Sequence, residues 1–321
     1  MSFDSRLPLD HAGGDLELVE RSGHRDPSTS LRVALSLSKG EQRRGAGWHR
    51  PVVFAALAAT LLAAVGVAHA QRYFREGSYA TRLAPPQMPD PFFVVCRLAY
   101  RSVRAEPSGI GWQTDYPYAE INLTTRLSEL TKTRVSRDEN MRPNFYVVRP
   151  LDATLFNCPF LVASDAGTIG FRDDEAEHLR NYLLKGGFFW ADDFWGSEAW
   201  SHWSSQIARV LPPDQYPIED VALDDPMLHS LFEIKEIPQI TNIQFWRRFG
   251  GTETSERGGD SADVHLRVIR DNHRRAMVLM THNTDVADSW EREGEDPQFF
   301  YQFSPAGYAL GIDVLLHAMT H

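Results

Sequence analysis

The chain has 321 residues, of which 42% are hydrophobic and 11% aromatic, and its formal net charge is −10. That length and apolar content support one substantial α/β core, while two cysteines are too few for a disulfide-dense scaffold. The acidic excess lies after residue 70, which argues against a nucleic-acid or anionic-lipid partner.

Residues 1–50 are polar and lack a sustained apolar period, so they are expected to be a disordered N-terminal extension. The run from Pro27 to Gly40 resembles the translation of a dispersed bacterial intergenic repeat, which would place the true start further downstream. Residues 51–70 follow a basic flank (Arg43, Arg44, Arg50) with an uncharged apolar run ending in Ala68-His69-Ala70. That pattern describes a signal peptide cut before Gln71, or an uncleaved anchor of nearly spanning length. Either route exports the folded part, to the periplasm or to the outer side of the inner membrane. The membrane would then be met only through this N-terminal segment.

A proline-rich lead (71–91) precedes a single α/β domain expected over 92–321. Phe92–Tyr100 reads as the first strand. Asp115-Tyr116-Pro117 opens a helix with proline in its first turn, and Ile121, Leu123, Leu127 and Leu130 keep helical spacing. Asn144–Arg149 is a short strand and Pro159–Ser164 a continuous apolar one, broken by Asp165-Ala166-Gly167. Asp173 is the expected N-cap of the next helix, which ends at Lys185-Gly186. Phe188–Ala191 is another strand, and Ser197 is expected to cap the helix that Pro212-Pro213 ends. Gly250–Ala262 reads as a mobile loop, 264–269 with 276–280 as a hairpin, and Ser304-Pro305 as the cap of a final helix. Apolar strands alternating with helices predict an open, mostly parallel sheet with helices on both faces. Cys96 and Cys158 lie in or beside separate strands. Two buried thiols are the favoured reading, and a bridge requires those strands to be neighbours.

The candidate site follows from the rule that ligands meet the carboxyl ends of parallel strands. Gly186-Gly187-Phe188-Phe189-Trp190-Ala191-Asp192-Asp193 runs a buried strand into two carboxylates. Adjacent residues point in different directions, so one of the pair can face a ligand while the other caps or solvates. Ser164 and Asp165 close the neighbouring strand. Without a G-x-S-x-G elbow, Ser164 reads as a turn hydrogen-bonder before a nucleophile. His282 and Asp285 follow the hairpin's second strand. With Asp192 and Asp193 they form a candidate divalent-metal set, although no zinc-type spacing supports it and a structurally bonded histidine is the competing reading. Trp112, Asp115 and Tyr116 are expected to wall the same crevice. Trp190, Trp195, Trp200 and Trp203 are either core or a sugar-like platform.

Taken together, Asp115-Tyr116-Pro117, Pro159-Phe160-Leu161, Gly186–Asp193, Asp225-Pro226, His282-Asn283-Thr284-Asp285 and Gly307-Tyr308-Ala309-Leu310-Gly311 occur in an order that resembles an uncharacterised bacterial family, domain-of-unknown-function 4159. The resemblance spans about residues 90–321. It implies a flavodoxin-like sheet of the class I glutamine-amidotransferase type and no established activity. The cysteine elbow of true amidotransferases is missing, so glutamine hydrolysis is not expected. Two functions are compatible with the residues: an exported module that binds a cell-envelope component or small molecule, which is favoured, or a metal-assisted hydrolase of envelope carbohydrate or peptide.

Overall fold

The computed structural model describes residues 81–321. Expectations for residues 1–50, for the signal or anchor segment 51–70, and for the start of the proline-rich lead lie outside the described residues. Seven strands form one sheet: β1 (Val95–Leu98), β2 (Phe145–Val148), β3 (Phe160–Ala163), β4 (Phe188–Phe194), β5 (Ile218–Asp220), β6 (His265–Arg270) and β7 (Ala276–His282). Their spatial order is β2-β1-β3-β4-β7-β6-β5. The five from β2 to β7 pair in parallel, and β6 and β5 add antiparallel. Ranked along the chain, the parallel strands have the 2-1-3-4-5 order of a flavodoxin-like sheet, with its switch point between β1 and β3. The second arm of the expected hairpin is thus a central parallel strand as well, which explains why β7 is buried along its whole length.

Strand alternation divides the core. Cys96, Leu98, Leu161, Ala163, Phe189, Ala191, Val278 and Met280 point to one face. There they pack against α2 (Asp173–Leu184) and α3 (Gly196–Val210). Val95, Phe160, Val162, Phe188, Trp190 and Leu279 point to the other. That face is covered by α1 (Tyr118–Leu130), α5 (Asp288–Glu291) and α6 (Pro297–Thr320), with the short α4 (Ile243–Arg248) beside them. Trp190 and Trp203 are fully buried, and Trp200 lies flat on Phe194. These three are therefore core or its margin and do not form a sugar platform, while Trp195 donates from Nε1 to Asp193 Oδ1 at 2.9 Å.

Several expected boundaries move. Pro117 stands at the N-cap of α1, one residue before the first turn. Asp173 is the first residue of α2, after Arg172, and α3 begins at Gly196, before Ser197. The final helix starts well before Ser304-Pro305. Its cap is Asp296, whose carboxylate accepts from the N–H groups of Gln298 and Phe299, and Pro297 takes the first helical position. Pro305 is tolerated inside α6 because it lies on the exposed side and the N–H it lacks leaves no buried partner wanting. Among the described residues no helix is long and apolar enough to cross a membrane.

β1 and β3 are neighbours, and this overturns the preference for free thiols. Cys96 and Cys158 form a disulfide with their Cα atoms 5.8 Å apart. Neither sulfur is therefore a nucleophile. Native protein is expected to show no titratable thiol in a chromogenic thiol assay, and two after denaturation with reductant. Two thiols without reductant would refute the bridge.

Candidate functional site

The carboxyl ends of β1, β3, β4 and β7 converge on a group of acids. Its geometry begins with a bulge. Ala191 pairs with Met280 and Phe194 with His282, so Asp192 and Asp193 together oppose Thr281 alone. A bulge re-aims the side chains it carries, and here it sends the two aspartates to different tasks.

Asp192 is buried and turned inward. It accepts hydrogen bonds from Thr281 Oγ1, from Ala287 N at 2.8 Å and from Val286 N at 3.3 Å. It thereby anchors the turn that carries Asp285. Thr281 Oγ1 also accepts from Trp190 Nε1 at 2.8 Å. Thr281→Val would leave the indole N–H without its acceptor and Asp192 one donor short. A loss of about 1–3 kcal/mol is expected, measured by urea unfolding; an unchanged midpoint would show that the hydroxyl is dispensable.

Asp193 turns the other way. It adopts a left-handed backbone with φ 54°, and so do Asp115 (65°), Asp165 (52°) and Asn283 (63°) at the neighbouring strand ends and loops. Asx residues accept this conformation more readily than other side chains, and backbone of this kind gathers at functional sites. Single carboxylate oxygens of Asp115, Asp193 and Asp285 lie within 4.8 Å of one another. A second triad, Asp115, Asp288 and Glu291, meets the same limit. Around Asp193 and Asp285, Glu106, Pro107, Ser108, Gly109, Asp165, Trp195, Asn242 and Glu256 enclose a cavity of about 10 Å³. That is room for about one water-sized sphere.

The distribution of positive charge decides what these acids can do. Arg97, fully buried on β1, pairs with Glu120 of α1, and donates to Thr114 O at 3.1 Å and Ser164 Oγ at 2.9 Å. Arg292 pairs with Asp288 at 3.2 Å and Glu291 at 2.8 Å. Arg104 and Arg257 hold Glu106, and Arg257 also holds Glu256. Against Asp193 and Asp285 the principal influences are burial followed by other carboxylates, and both are driven well above the usual carboxylate range. Burial also raises Asp115, although Arg97 and the Ser164 hydroxyl oppose it. Burial pushes Asp165, Asp192 and Asp288 to about 7 and Glu291 to about 9. One Asp115 oxygen, Oδ2, is buried without a hydrogen-bond partner.

Other expected site residues lie elsewhere. His282 donates from Nε2 to Gly196 O at 3.0 Å, its Nδ1 faces the Arg267 guanidinium at 3.3 Å, and its ring packs against Phe194, Trp200 and His265. Burial holds it neutral, down to about 4. Both nitrogens are engaged away from the acids, so the structure does not bring His282 into a metal set with Asp193 and Asp285. Asp192 drops out for a similar reason, because both of its oxygens already accept from the protein. Tyr116 packs edge-on to Phe145 and Trp112, and its hydroxyl accepts from Arg82 N at 3.3 Å. It and Trp112 belong to the β2 side and do not wall the cavity. Ser164 is fully buried between Arg97 and Asp115, a hydrogen-bonder with no histidine base. Asp165 does reach the cavity, accepting from Gly111 N at 2.8 Å. A Cβ on Gly109 would meet its carboxyl at 2.5 Å, which explains a glycine there.

Glu106, Glu256, Arg97 and Arg292 were not singled out by the sequence. Arg97 had a signal, since a charge inside an apolar strand must find a partner. Glu256 had none: it arrives from the expected loop, which is tied down by Glu256 accepting from Asn242 N and Thr241 Oγ1 and by Asp260 accepting from Ser197 N.

Comparison with known proteins adds a family and no activity. A model of the family described as "Domain of unknown function (DUF4159)" matches residues 96–319. No curated protein matches the chain.

Proposed function

The chain belongs to this family of unknown function, and on that premise we propose that it is an exported cation-binding module whose Asp115, Asp193 and Asp285 hold one hard divalent ion. The observation that carries this is the pairing of proximity with missing countercharge. Three carboxylate oxygens lie within 4.8 Å of one another, and two of the three acids face mainly burial and like charge. Oxygens bound to one ion at about 2.0–2.6 Å can be no more than roughly 4–5 Å apart. An all-oxygen donor set without histidine or thiolate favours Mg²⁺, Ca²⁺ or Mn²⁺ over zinc. A bound cation would lower every carboxyl group around it, and two of its three ligands, Asp193 and Asp285, line the small cavity.

The second triad is a weaker candidate, because the Arg292 guanidinium already pairs with two of its three acids, Asp288 and Glu291. A hydrolase in which the ion activates water fits less well, since a cavity of about 10 Å³ leaves no place for a sugar or peptide. The Cys96–Cys158 bridge supports an oxidising compartment and hence export, with a cell-envelope component as the partner class. The test of the cation site is a divalent-metal titration of wild type against Asp193→Asn and Asp285→Asn, which should abolish binding.

A further inference from the structure

At the opposite, amino end of the parallel strands a second recess has the reverse character. Its volume is about 540 Å³, in the range of small-molecule sites. The turn Asp271–Arg275 between β6 and β7 forms one wall, Asp225-Pro226 another, and His317 and His321 at the end of α6 a third. Its two acids are already spent on neighbours. Asp225 accepts from Met227 N and pairs with Arg270 Nη2 at 2.6 Å. Asp271 accepts from His273 N and Arg275 N and pairs with Arg275 Nε at 3.0 Å.

The bases are not all spent. Arg270 Nε is buried and has no hydrogen-bond partner, on a side chain only 7% exposed. His317, 6% exposed, likewise has a buried Nδ1 with no partner, and its ring stacks on His321 at 4.4 Å. Arg274 uses Nη1 on Glu219 and keeps two-thirds of its side chain in solvent. A buried donor such as Arg270 Nε normally finds an acceptor, and a neutral imidazole such as His317 has one N–H to give. Guanidinium and imidazole groups around one recess match the oxygens of a phosphate, which takes several charge-assisted bonds. The carboxyl end of α6 opposes an anion only weakly and within its last turn.

We propose that this recess binds a small phosphate-bearing ligand, through Arg270, Arg274 and His317. The site is independent of the cation centre, which lies at the other end of the same strands.

The test is a thermal-shift and calorimetric titration of the full chain with inorganic phosphate in metal-depleted buffer, against chloride at matched ionic strength. Phosphate should give a saturable shift that chloride does not. Arg274→Gln, on an exposed side chain, and His317→Phe, which keeps the stacked ring, should each weaken apparent affinity by tenfold or more while circular dichroism stays native. Asp193→Asn should bind phosphate like wild type. No shift beyond chloride, or an affinity unchanged in both recess variants, overturns the proposal.

Discussion

Metal-depleted protein should gain a large, saturable increment of stability from at least one of Mg²⁺, Ca²⁺ and Mn²⁺, and Asp193→Asn should lose it. At 100 times its dissociation constant a ligand specific for the folded state contributes about 2.7 kcal/mol. For a domain of this size that is a rise of roughly 5–10 °C in melting temperature. Asparagine keeps the shape of Asp193 and tolerates its left-handed backbone, so folding should survive. It removes a charge that other carboxylates and burial oppose. Metal-free Asp193→Asn and Asp285→Asn should therefore be at least as stable as metal-free wild type while binding no ion. A merely structural acid would show the opposite, a less stable variant. His282→Ala, by contrast, should change metal affinity little, because that ring is bonded to Gly196 and stacked among aromatics. A metal shift that persists in both aspartate variants would sink the proposed site.

The second large effect is on pH. Asp165, Asp192 and Asp288 have folded values near 7 against an ordinary 3.8, and Glu291 is near 9 against 4.5. Their folded values are raised, so between about pH 4 and 7 the folded state holds protons that the unfolded chain has released. Stability must then fall as pH rises through that window. Every tenfold difference in proton affinity between the folded and unfolded chain corresponds to about 1.4 kcal/mol. Several such acids together make a loss on the order of several kcal/mol between pH 5 and 8. His282, held neutral to about 4, acts in the opposite sense below its ordinary 6.5 and offsets part of it. A bound divalent ion should flatten or reverse the trend by favouring the ionised acids. Urea unfolding at pH 5 and pH 8, with and without saturating metal, reads this directly. Metal-free stability that is flat or rises with pH would contradict the arrangement of acids described above.

The bridge between Cys96 and Cys158 shows where legibility stopped. Each cysteine could be placed in or beside an apolar strand, but strand adjacency is a long-range property. In the order β2-β1-β3 the first and third strands of the chain become neighbours, and nothing local to either cysteine encodes that. Ser304-Pro305 failed differently, as a strong local signal overruled by a better cap at Asp296-Pro297. The resemblance to the family was legible from motif order, and the match over residues 96–319 bears it out.

The site divides along the same line. Continuous apolar runs, helical spacing and turn chemistry depend on neighbours within a few residues, so the sequence by itself determined an α/β chain with a mostly parallel sheet and acids at the strand ends. It offered Asp165, Asp192, Asp193, His282 and Asp285 at the strand ends as crevice candidates, with Asp115 beside them, and left open which of Asp192 and Asp193 faces the crevice. Only the tertiary structure decided which carboxylates share one space. The bulge opposite Thr281 turns Asp193 towards Asp115 and Asp285 and leaves Asp192 to hold the next turn. The same packing spends His282 on Gly196 and brings Arg97 and Arg292 to some acids but not to others. Countercharge within a few ångströms sets which carboxylate stays unneutralised, and that distance exists only once distant segments have packed.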